Sequence, residues 1–342
     1  MKKIISMLCA ATLFASVLMG CGGGGKEEAS SDAATAENTS GEDASAEEGK
    51  SADGIKVGFV VKSLADQYWI LVKAGAEAAA EENGVDLTFI APNAEGDVAK
   101  QVENIETLIA AGVDVLCIAP SNDETVLPAL ENAVKAGIKV IAVDTDSSLE
   151  DKVCFIGTGN EAAAKEGALW AGEQVGEGAK AIVLRGRLGD ATHDAREAGV
   201  VAGLEEKGVE VLEVQAADST EEKGMSVSEN LLQKYDDVDL IITTADSMAT
   251  GACNAVEAAG KDTLVYGFDG TLPVAEKVEA GEVLGTTAQH PYEMGVLGIE
   301  TAIKIMNGEE VDAVIDSGQE VVNSENAADF IADLESKVGS AE

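Results

Sequence analysis

Residues 55–61 read IKVGFVV, and three further apolar runs follow: VDLTFIA at 85–91, VDVLCIAP at 113–120 and IKVIAVD at 138–144. Each run has the length of a buried β-strand, and a longer segment with helical periodicity separates it from the next. Strands that alternate with helices in this way predict a parallel sheet that helices cover on both faces. The first of these runs therefore opens a doubly wound α/β unit.

The same alternation begins again after residue 159 and predicts a second unit. Its strand-like runs are AKAIVLRG at 179–186, VEVLEVQA at 209–216, VDLIITT at 238–244, DTLVYGFD at 262–269 and EVLGTTAQ at 282–289. The C-terminal segment has too few strands to stand alone, so it must complete the sheets already built. We predict an α/β fold of two doubly wound parallel-sheet lobes joined by a three-strand hinge. The expected boundaries are 54–158 with 289–318 for the first lobe, 159–288 with 319–342 for the second, and crossings near Thr158, Gln289 and Gln319.

The N-terminus carries the pattern of an export signal followed by a lipid attachment site. Two lysines precede an uncharged apolar run at residues 4–19, which is too short for a comfortable membrane span. The run ends in LMGC, the spacing of a lipobox, so we predict a lipoprotein signal peptide at 1–20 and lipidation of Cys21. The segment 21–53 is rich in Gly, Ser, Ala, Glu and Asp and predicts a disordered acidic linker. The expected location is extracytoplasmic, with the lipid anchor as the membrane contact.

The composition argues against several classes of function. A formal net charge of −40 disfavours nucleic acid as a partner, because phosphate binding requires basic patches. The two histidines, His193 and His290, have no Cys or His at ligand spacing, so we expect no metal site and no cofactor. The run GTGNEA at 157–162 resembles a dinucleotide fingerprint but is weak alone, and His193 beside Asp194 is interpreted as a loop pair. We therefore expect a protein that is not an enzyme.

Polar side chains stand at the ends of the predicted strands, where open parallel sheets bind ligands. They are Lys62 and Asp66 after the first strand, Asp144 after the fourth, Asp246 and Asp269 in the second lobe, and Gln289 at a crossing. An ionised carboxylate accepts two hydroxyl hydrogen bonds at once, and Arg or Lys donates to ring and hydroxyl oxygens. Arg196 fits the donor role, although it could also lie on a solvated helix face. The set suits the hydroxyl rim of a sugar.

Aromatic planes would complete such a site. Tyr68, Trp69 and Phe268 are the candidate stacking residues in a chain with only 4% aromatic residues. Other interpretations stay open, because Asp66 and Asp246 could each cap a helix instead of contacting a ligand. Tyr68 and Trp69 could also belong to the core, since adjacent helical residues diverge by about 100°.

Seven runs of the sequence, in this order and spacing, carry a family resemblance. They are VGFVVKSLADQYW, LIAAGVDVLCIAPSN, IKVIAVDT, DAREAG, VDLIITTADSMATGA, VYGFDGT and TTAQHP, and the likeness that they mark extends over nearly all of 55–322. The series resembles the periplasmic sugar-binding proteins of the ribose-binding type. Regulators of the lac-repressor type share the core but begin with a DNA-binding helix-turn-helix, and here an export signal stands in its place. The resemblance implies the periplasmic binding protein-like I fold.

The resemblance also implies which residues contact the ligand. These are Lys62, Asp66, Tyr68, Trp69, Asp144, Arg196, Asp246, Phe268, Asp269 and Gln289. Four positions depart from the ribose-binding pattern: Thr145 stands in place of Arg, Ser219 in place of Phe, and Ala119 and Ala245 in place of Asn. The pocket thus keeps its acidic acceptors but loses donors and one stacking plane. Ribose is disfavoured, and another pentose, a hexose, a polyol or an amino-bearing analogue would suit as well.

We therefore predict a monomeric solute-binding lipoprotein of an ABC importer, which closes about its hinge on a monosaccharide or related polyol. Its protein partners would be the membrane permease and the ATPase that powers it. The alternative is a ligand-sensing receptor subunit that feeds a sensor kinase or a chemoreceptor. The two lobes alone do not separate these outputs.

Overall fold

The computed structural model describes residues 54–65, 67–94 and 96–339. The predicted signal peptide, Cys21, the linker and Asp66 lie outside the described residues. In chain order the strands are β1 (Lys56–Val60), β2 (Asp86–Ile90), β3 (Val115–Ile118), β4 (Lys139–Val143), β5 (Cys154–Gly157), β6 (Lys180–Arg185), β7 (Glu210–Ala216), β8 (Leu240–Thr243), β9 (Leu264–Asp269), β10 (Gly285–Gln289), β11 (Val314–Asp316) and β12 (Gln319–Asn323). The helices are α1 (Gln67–Asn83), α2 (Val98–Ala111), α3 (Asp123–Lys135), α4 (Asn160–Val175), α5 (Ala191–Glu206), α6 (Glu221–Lys234), α7 (Asp246–Ala259), α8 (Leu272–Glu279), α9 (Pro291–Met306) and α10 (Ala327–Gly339).

The first lobe is built on a six-stranded sheet of order β11-β5-β4-β3-β1-β2, in which every pair of neighbours is parallel. Alternate residues of each strand enter separate cores, as the pleat requires. Val57 and Phe59 pack with α1 and α9 on one face. Val60 packs with α2 and α3 on the other. The continuous apolar runs of the sequence are explained by this burial of both faces.

The second lobe repeats this plan with the strand order β12-β10-β9-β8-β6-β7. Helices α4 and α5 cover one face of the sheet, and α6 and α7 cover the other. Strand β12 pairs antiparallel with β10, and the remaining neighbours are parallel. The predicted fold of two doubly wound lobes is confirmed.

Helix α9 follows strand β10 of the second sheet and brings the chain back to the first lobe. There it packs so closely against α1 that the backbones of the two helices are in contact. A Cβ added to Gly75 would lie 2.0 Å from the carbonyl oxygen of Tyr292, and one added to Gly295 would lie 2.0 Å from that of Val72. Since real Cβ atoms do not approach so closely, both positions require glycine for this packing. The contact fixes the rotation of α1, and with it the direction of the side chains in its first turn.

The chain crosses between the two sheets at three places: residues 158–159, residue 290 and residues 317–318. Asp316 ties two crossings together, because its Oδ1 accepts hydrogen bonds from the N–H groups of Gly159 at 3.4 Å and Gly318 at 3.0 Å. The remaining crossing contains His290, whose Nε2 lies 3.4 Å from Oε1 of Glu320 in β12, the strand that follows the crossing at 317–318. The three crossing segments that form the hinge are therefore connected to one another by polar contacts. Among the residues that the structure describes, no helix is long and apolar enough to cross a membrane.

Candidate functional site

Two carboxylates stand at strand ends in backbone conformations that favour glycine. Asp144 follows β4 with φ of 64°, and Asp269 ends β9 with φ of 128°. Backbone strain of this kind costs on the order of 1–3 kcal/mol per residue and is concentrated at functional sites. Since these two aspartates belong to different lobes and both face the cleft, the strain points to this cleft as the site.

The first-lobe half of the site is centred on the carboxylate of Asp144. Its Oδ1 accepts a 2.6 Å hydrogen bond from the hydroxyl of Tyr68, and its Oδ2 accepts one of 2.7 Å from Thr145 Oγ1. Lys62 Nζ lies 3.7 Å from the same Oδ2. Burial, together with the charge of Asp144, raises the pKa of Tyr68 well above its ordinary value. Tyr68 therefore remains a hydrogen-bond donor.

The second-lobe half is centred on Asp269. Its Oδ1 accepts hydrogen bonds from Arg196 Nη1 at 3.0 Å and from Gln289 Nε2 at 2.8 Å. The Arg196 guanidinium lies 3.9 Å from the centre of the Phe268 ring, and its Nε donates to Asn160 Oδ1 at 2.7 Å. Burial raises the pKa of Asp269, and the positive charge of Arg196 opposes that shift. The guanidinium is thus held rigidly against the carboxylate.

Gln289 connects the two halves at the hinge. Its Oε1 accepts a 2.9 Å hydrogen bond from Thr158 Oγ1 and lies 3.5 Å from the hydroxyl of Tyr68, while its Nε2 donates to Asp269. Asp144, Tyr68, Gln289, Asp269 and Arg196 therefore form one chain of polar contacts from lobe to lobe. We call this chain the cleft network.

Asp246 supports the network from within the second lobe. Its side chain is 1% exposed and accepts hydrogen bonds from the backbone N–H and hydroxyl of Thr271 and from the hydroxyl of Thr286, at 2.7 to 2.9 Å. Burial and the nearby charge of Asp269 raise the pKa of Asp246 to about 7. The carboxylate does not cap its own helix α7, which was the other interpretation of its position. It secures the turn between β9 and α8.

Two cavities flank the cleft network. The polar cavity, of about 490 Å³, is lined by Lys62, Asp144 and Thr145 from the first lobe and by His193, Arg196 and Ser219 from the second. The apolar cavity, of about 700 Å³, is lined by Tyr68 and Leu71 on one side and by Asp246, Asp269 and Leu272 on the other, with Gln289 between them. Tyr68 lines the apolar cavity, and its hydrogen-bond partner Asp144 lines the polar cavity. In the same way, Asp269 lines the apolar cavity and its partner Arg196 lines the polar cavity. The network therefore separates the two.

Comparison with known proteins assigns the chain to a family. A family model described as "Periplasmic binding protein domain" matches residues 57–310. The chain belongs to this family. The match spans most of both lobes.

Relatives and solved structures extend the family assignment. The chain is 34% identical over 267 residues to the ribose import binding protein RbsB of Haemophilus influenzae, covering 78% of this chain and 91% of that one. It is 33% identical over 258 residues to RbsB of Escherichia coli, covering 75% and 86%. A periplasmic solute-binding protein of an ABC transporter from Actinobacillus succinogenes, solved with bound D-allose, superposes with a TM-score of 0.73 at 27% identity and covers 80% and 99%. The predicted resemblance to periplasmic sugar-binding proteins of the ribose-binding type is confirmed.

In this periplasmic binding protein the three aromatic candidates have different positions. Tyr68 lines the cleft. Trp69 is 5% exposed in the first-lobe core, edge-on to the Tyr68 ring at 5.1 Å. Phe268 is 1% exposed and lies beneath Arg196. The structure thus brings Lys62, Tyr68, Asp144, Arg196, Asp246, Asp269 and Gln289 to the cavity walls, whereas Trp69 and Phe268 lie behind them. Asp66 lies outside the described residues.

Sequence reasoning missed His193 as a part of the cleft. Its Nδ1 lies 2.8 Å from Thr244 Oγ1 and its Nε2 lies 2.8 Å from Ser219 Oγ. Burial and the charge of Arg196 lower the pKa of His193 to about 4, so the ring is neutral near pH 7. The available signal was the spacing of three residues to Arg196, which places both side chains on one helix face. The earlier pairing with Asp194 pointed to the wrong neighbour.

Proposed function

We propose that this periplasmic binding protein is the extracytoplasmic sugar-binding component of an ABC importer, and that it takes a monosaccharide or related polyol by closing its hinge. The single observation that carries the proposal is the cleft network. Asp144 of the first lobe accepts a hydrogen bond from Tyr68, and Asp269 of the second lobe accepts hydrogen bonds from Arg196 and Gln289. The contact of Tyr68 with Gln289 joins the two groups. A ligand with several hydroxyl groups can bond to both lobes at once.

The chemistry of binding is an exchange of hydrogen bonds. A hydroxyl of the sugar can donate to Asp144 in place of Tyr68, and another can donate to Asp269 while it accepts from Arg196. Bonds to a charged group contribute about 1.5–3 kcal/mol each, and they form only when both lobes reach the ligand. Ligand binding therefore shifts the protein toward the closed state and involves no covalent step. The similarity to ribose import binding proteins supports this output, and no observation favours the sensing alternative.

The remaining parts of the proposal concern the partners and the anchor. We propose that the closed body docks as a monomer on a permease with a cytoplasmic ATPase, and that Cys21 carries the lipid. Replacing Cys21 by Ser should release the protein from the membrane fraction, and mass spectrometry of the mature N-terminus should find acyl chains on Cys21 in the parent. Membrane retention of the variant would contradict the anchor.

A thermal-shift and urea-unfolding screen of the full-length protein against monosaccharides and polyols tests the binding function. Ligand at 100 times its dissociation constant should add about 2.7 kcal/mol to the free energy of unfolding. Asp144→Ala should reduce the shift to about half or less, because the variant lacks the first-lobe acceptor, whose bond contributes about 1.5–3 kcal/mol. The absence of any shift across the panel with the parent protein would overturn the proposal.

A further inference from the structure

The polar cavity extends beyond the side chains of the cleft network. Its volume of about 490 Å³ lies within the range of ~300–1,000 Å³ that is typical of pockets enclosing drug-sized molecules. The walls come from both lobes, so closure would enclose whatever occupies it. The cavity also adjoins Asp144 and Arg196, which places it directly beside a sugar ring held by the network.

Two residues on the walls of this cavity are among the four at which the sequence departs from the ribose-binding pattern. Thr145, where Arg is expected, lines the first-lobe wall, and Ser219, where Phe is expected, lines the second-lobe wall. Both replacements are smaller than the expected side chain. An Arg at position 145 would extend into the cavity from the first lobe, and a Phe at position 219 would extend into it from the second. With Thr145 and Ser219 in these places, one continuous space lies between the lobes.

The walls are built for hydroxyl groups. Ser121 lines the cavity, and its buried Oγ has no hydrogen-bond partner among the described residues. The Ser219 hydroxyl is positioned by neutral His193 and stands on a backbone with φ of 55°. Thr192 and Thr220 add two more hydroxyls to the second-lobe wall.

The charges of the walls balance. Lys62, Arg187 and Arg196 face three carboxylates, those of Asp144, Asp190 and Asp218. Lys62 already pairs with Asp144, and Arg196 already pairs with Asp269, so these groups can offer a ligand hydrogen bonds without an unbalanced charge.

We propose that the polar cavity is a subsite for a second hydroxylated unit of the ligand. The sugar ring that the network holds would then carry another sugar or a polyol, and the protein would prefer a disaccharide or similar glycoside to the free monosaccharide. This inference rests on the proposed sugar-binding function. Thr145 and Ser219 determine the specificity, because their size decides whether the second unit fits.

Calorimetric titration of the full-length protein with D-glucose, D-galactose, D-ribose, maltose, cellobiose, lactose and melibiose tests the subsite. At least one disaccharide should bind about tenfold more tightly than either of its component monosaccharides, the gain expected of one or two added hydrogen bonds. Ser219→Phe fills the cavity and should weaken the disaccharide by about tenfold without weakening the monosaccharide. Thr145→Arg fills it from the other lobe and also removes the hydrogen bond of Thr145 to Asp144, so it should weaken both ligands, and the disaccharide more than the monosaccharide.

Ser226→Phe is the matched control, since Ser226 is exposed on α6 outside both cavities and should leave both affinities unchanged. Monosaccharide binding without any tighter disaccharide would overturn the subsite and leave the proposed function standing. Equal loss of both ligands in Ser219→Phe, with unchanged urea unfolding, would also overturn it. If the parent protein binds neither these sugars nor any monosaccharide or polyol of the thermal-shift screen, both proposals fail.

Discussion

Replacing Asp269 by Asn keeps the shape of the side chain and removes its charge. In the parent protein, Asp269 Oδ1 accepts hydrogen bonds from Arg196 Nη1 at 3.0 Å and from Gln289 Nε2 at 2.8 Å. An amide oxygen in the same place can still accept both bonds. The amide nitrogen then replaces Oδ2, which accepts a 3.4 Å bond from the backbone N–H of Asp246, so the variant removes the negative charge together with that long bond.

The expected magnitude follows from the kinds of bond involved. A hydrogen bond to a charged group contributes about 1.5–3 kcal/mol and one between neutral groups about 0.5–1.5 kcal/mol, so each of the two bonds loses about 1 kcal/mol. The Arg196 side chain is 7% exposed, so water compensates for little of the lost charge. Because burial raises the pKa of Asp269 in the folded protein, folding disfavours its ionised form, and this offsets the weaker bonds to Arg196 and Gln289. The free energy of unfolding should therefore change by less than about 1 kcal/mol. A sugar hydroxyl that donates to this carboxylate should lose about 1–2 kcal/mol, which is roughly a 5- to 30-fold weaker affinity.

Urea unfolding and calorimetric titration at pH 7.5, with the sugar that gives the largest thermal shift, measure both effects. Asp312→Asn is the matched control, because Asp312 is exposed between α9 and β11 and should change neither quantity. An affinity within twofold of the parent protein would refute the assignment of Asp269 to the ligand. A fall in the free energy of unfolding of about 2 kcal/mol or more would contradict the inference that folding disfavours the ionised form of Asp269.

Three further predictions concern other parts of the structure. Gly295→Ala should lower the free energy of unfolding by about 1–3 kcal/mol, because the new Cβ would lie 2.0 Å from Val72 O; urea unfolding measures this. Tyr68→Phe should lower it by about 1.5–3 kcal/mol, as measured in urea, because the 2.6 Å bond to Asp144 is lost. Burial raises the pKa of Asp246 to about 7, so the folded state holds a proton that the unfolded chain releases near pH 4, and stability should fall as pH rises between these values. In Asp246→Asn the fall should be smaller when urea unfolding is followed against pH.

Each of these predictions has its own control and its own contrary result. Gly96→Ala matches Gly295→Ala, since no atom lies within 4 Å of its added Cβ, and equal stability of the two variants would contradict the packing of α1 on α9. Tyr292→Phe matches Tyr68→Phe, and equal losses in both would mean that the bond to Asp144 contributes nothing specific. For Asp246, a pH profile identical in parent and variant would show that its carboxyl does not titrate between pH 4 and 7.

The strand-end carboxylates were predictable because local sequence fixes them. Strands β4 and β9 are apolar runs that pass directly into Asp144 or end on Asp269, and the carboxyl ends of parallel strands face the cleft. No long-range information was required for either position. The fold followed from the same alternation of strands and helices.

The roles of the aromatic residues were not predictable in the same way. Tyr68 and Trp69 are adjacent, and only the rotation of α1 decides which one faces the cleft. That rotation is set by the contact of Gly75 with Tyr292, far along the chain. Similarly, Asp246 bonds to Thr271 and Thr286, 25 and 40 residues away, and local sequence indicated only a ligand contact or a helix cap. Tertiary packing made these choices.

The most direct measurement of the central claim is a crystal structure of the protein with the sugar that binds best. Hydroxyl groups of one sugar ring should lie within hydrogen-bond distance of both Asp144 and Asp269, one carboxylate from each lobe, and Tyr68 should no longer bond to Asp144. A sugar that contacts only one lobe, or that lies outside the cleft network, would contradict that claim.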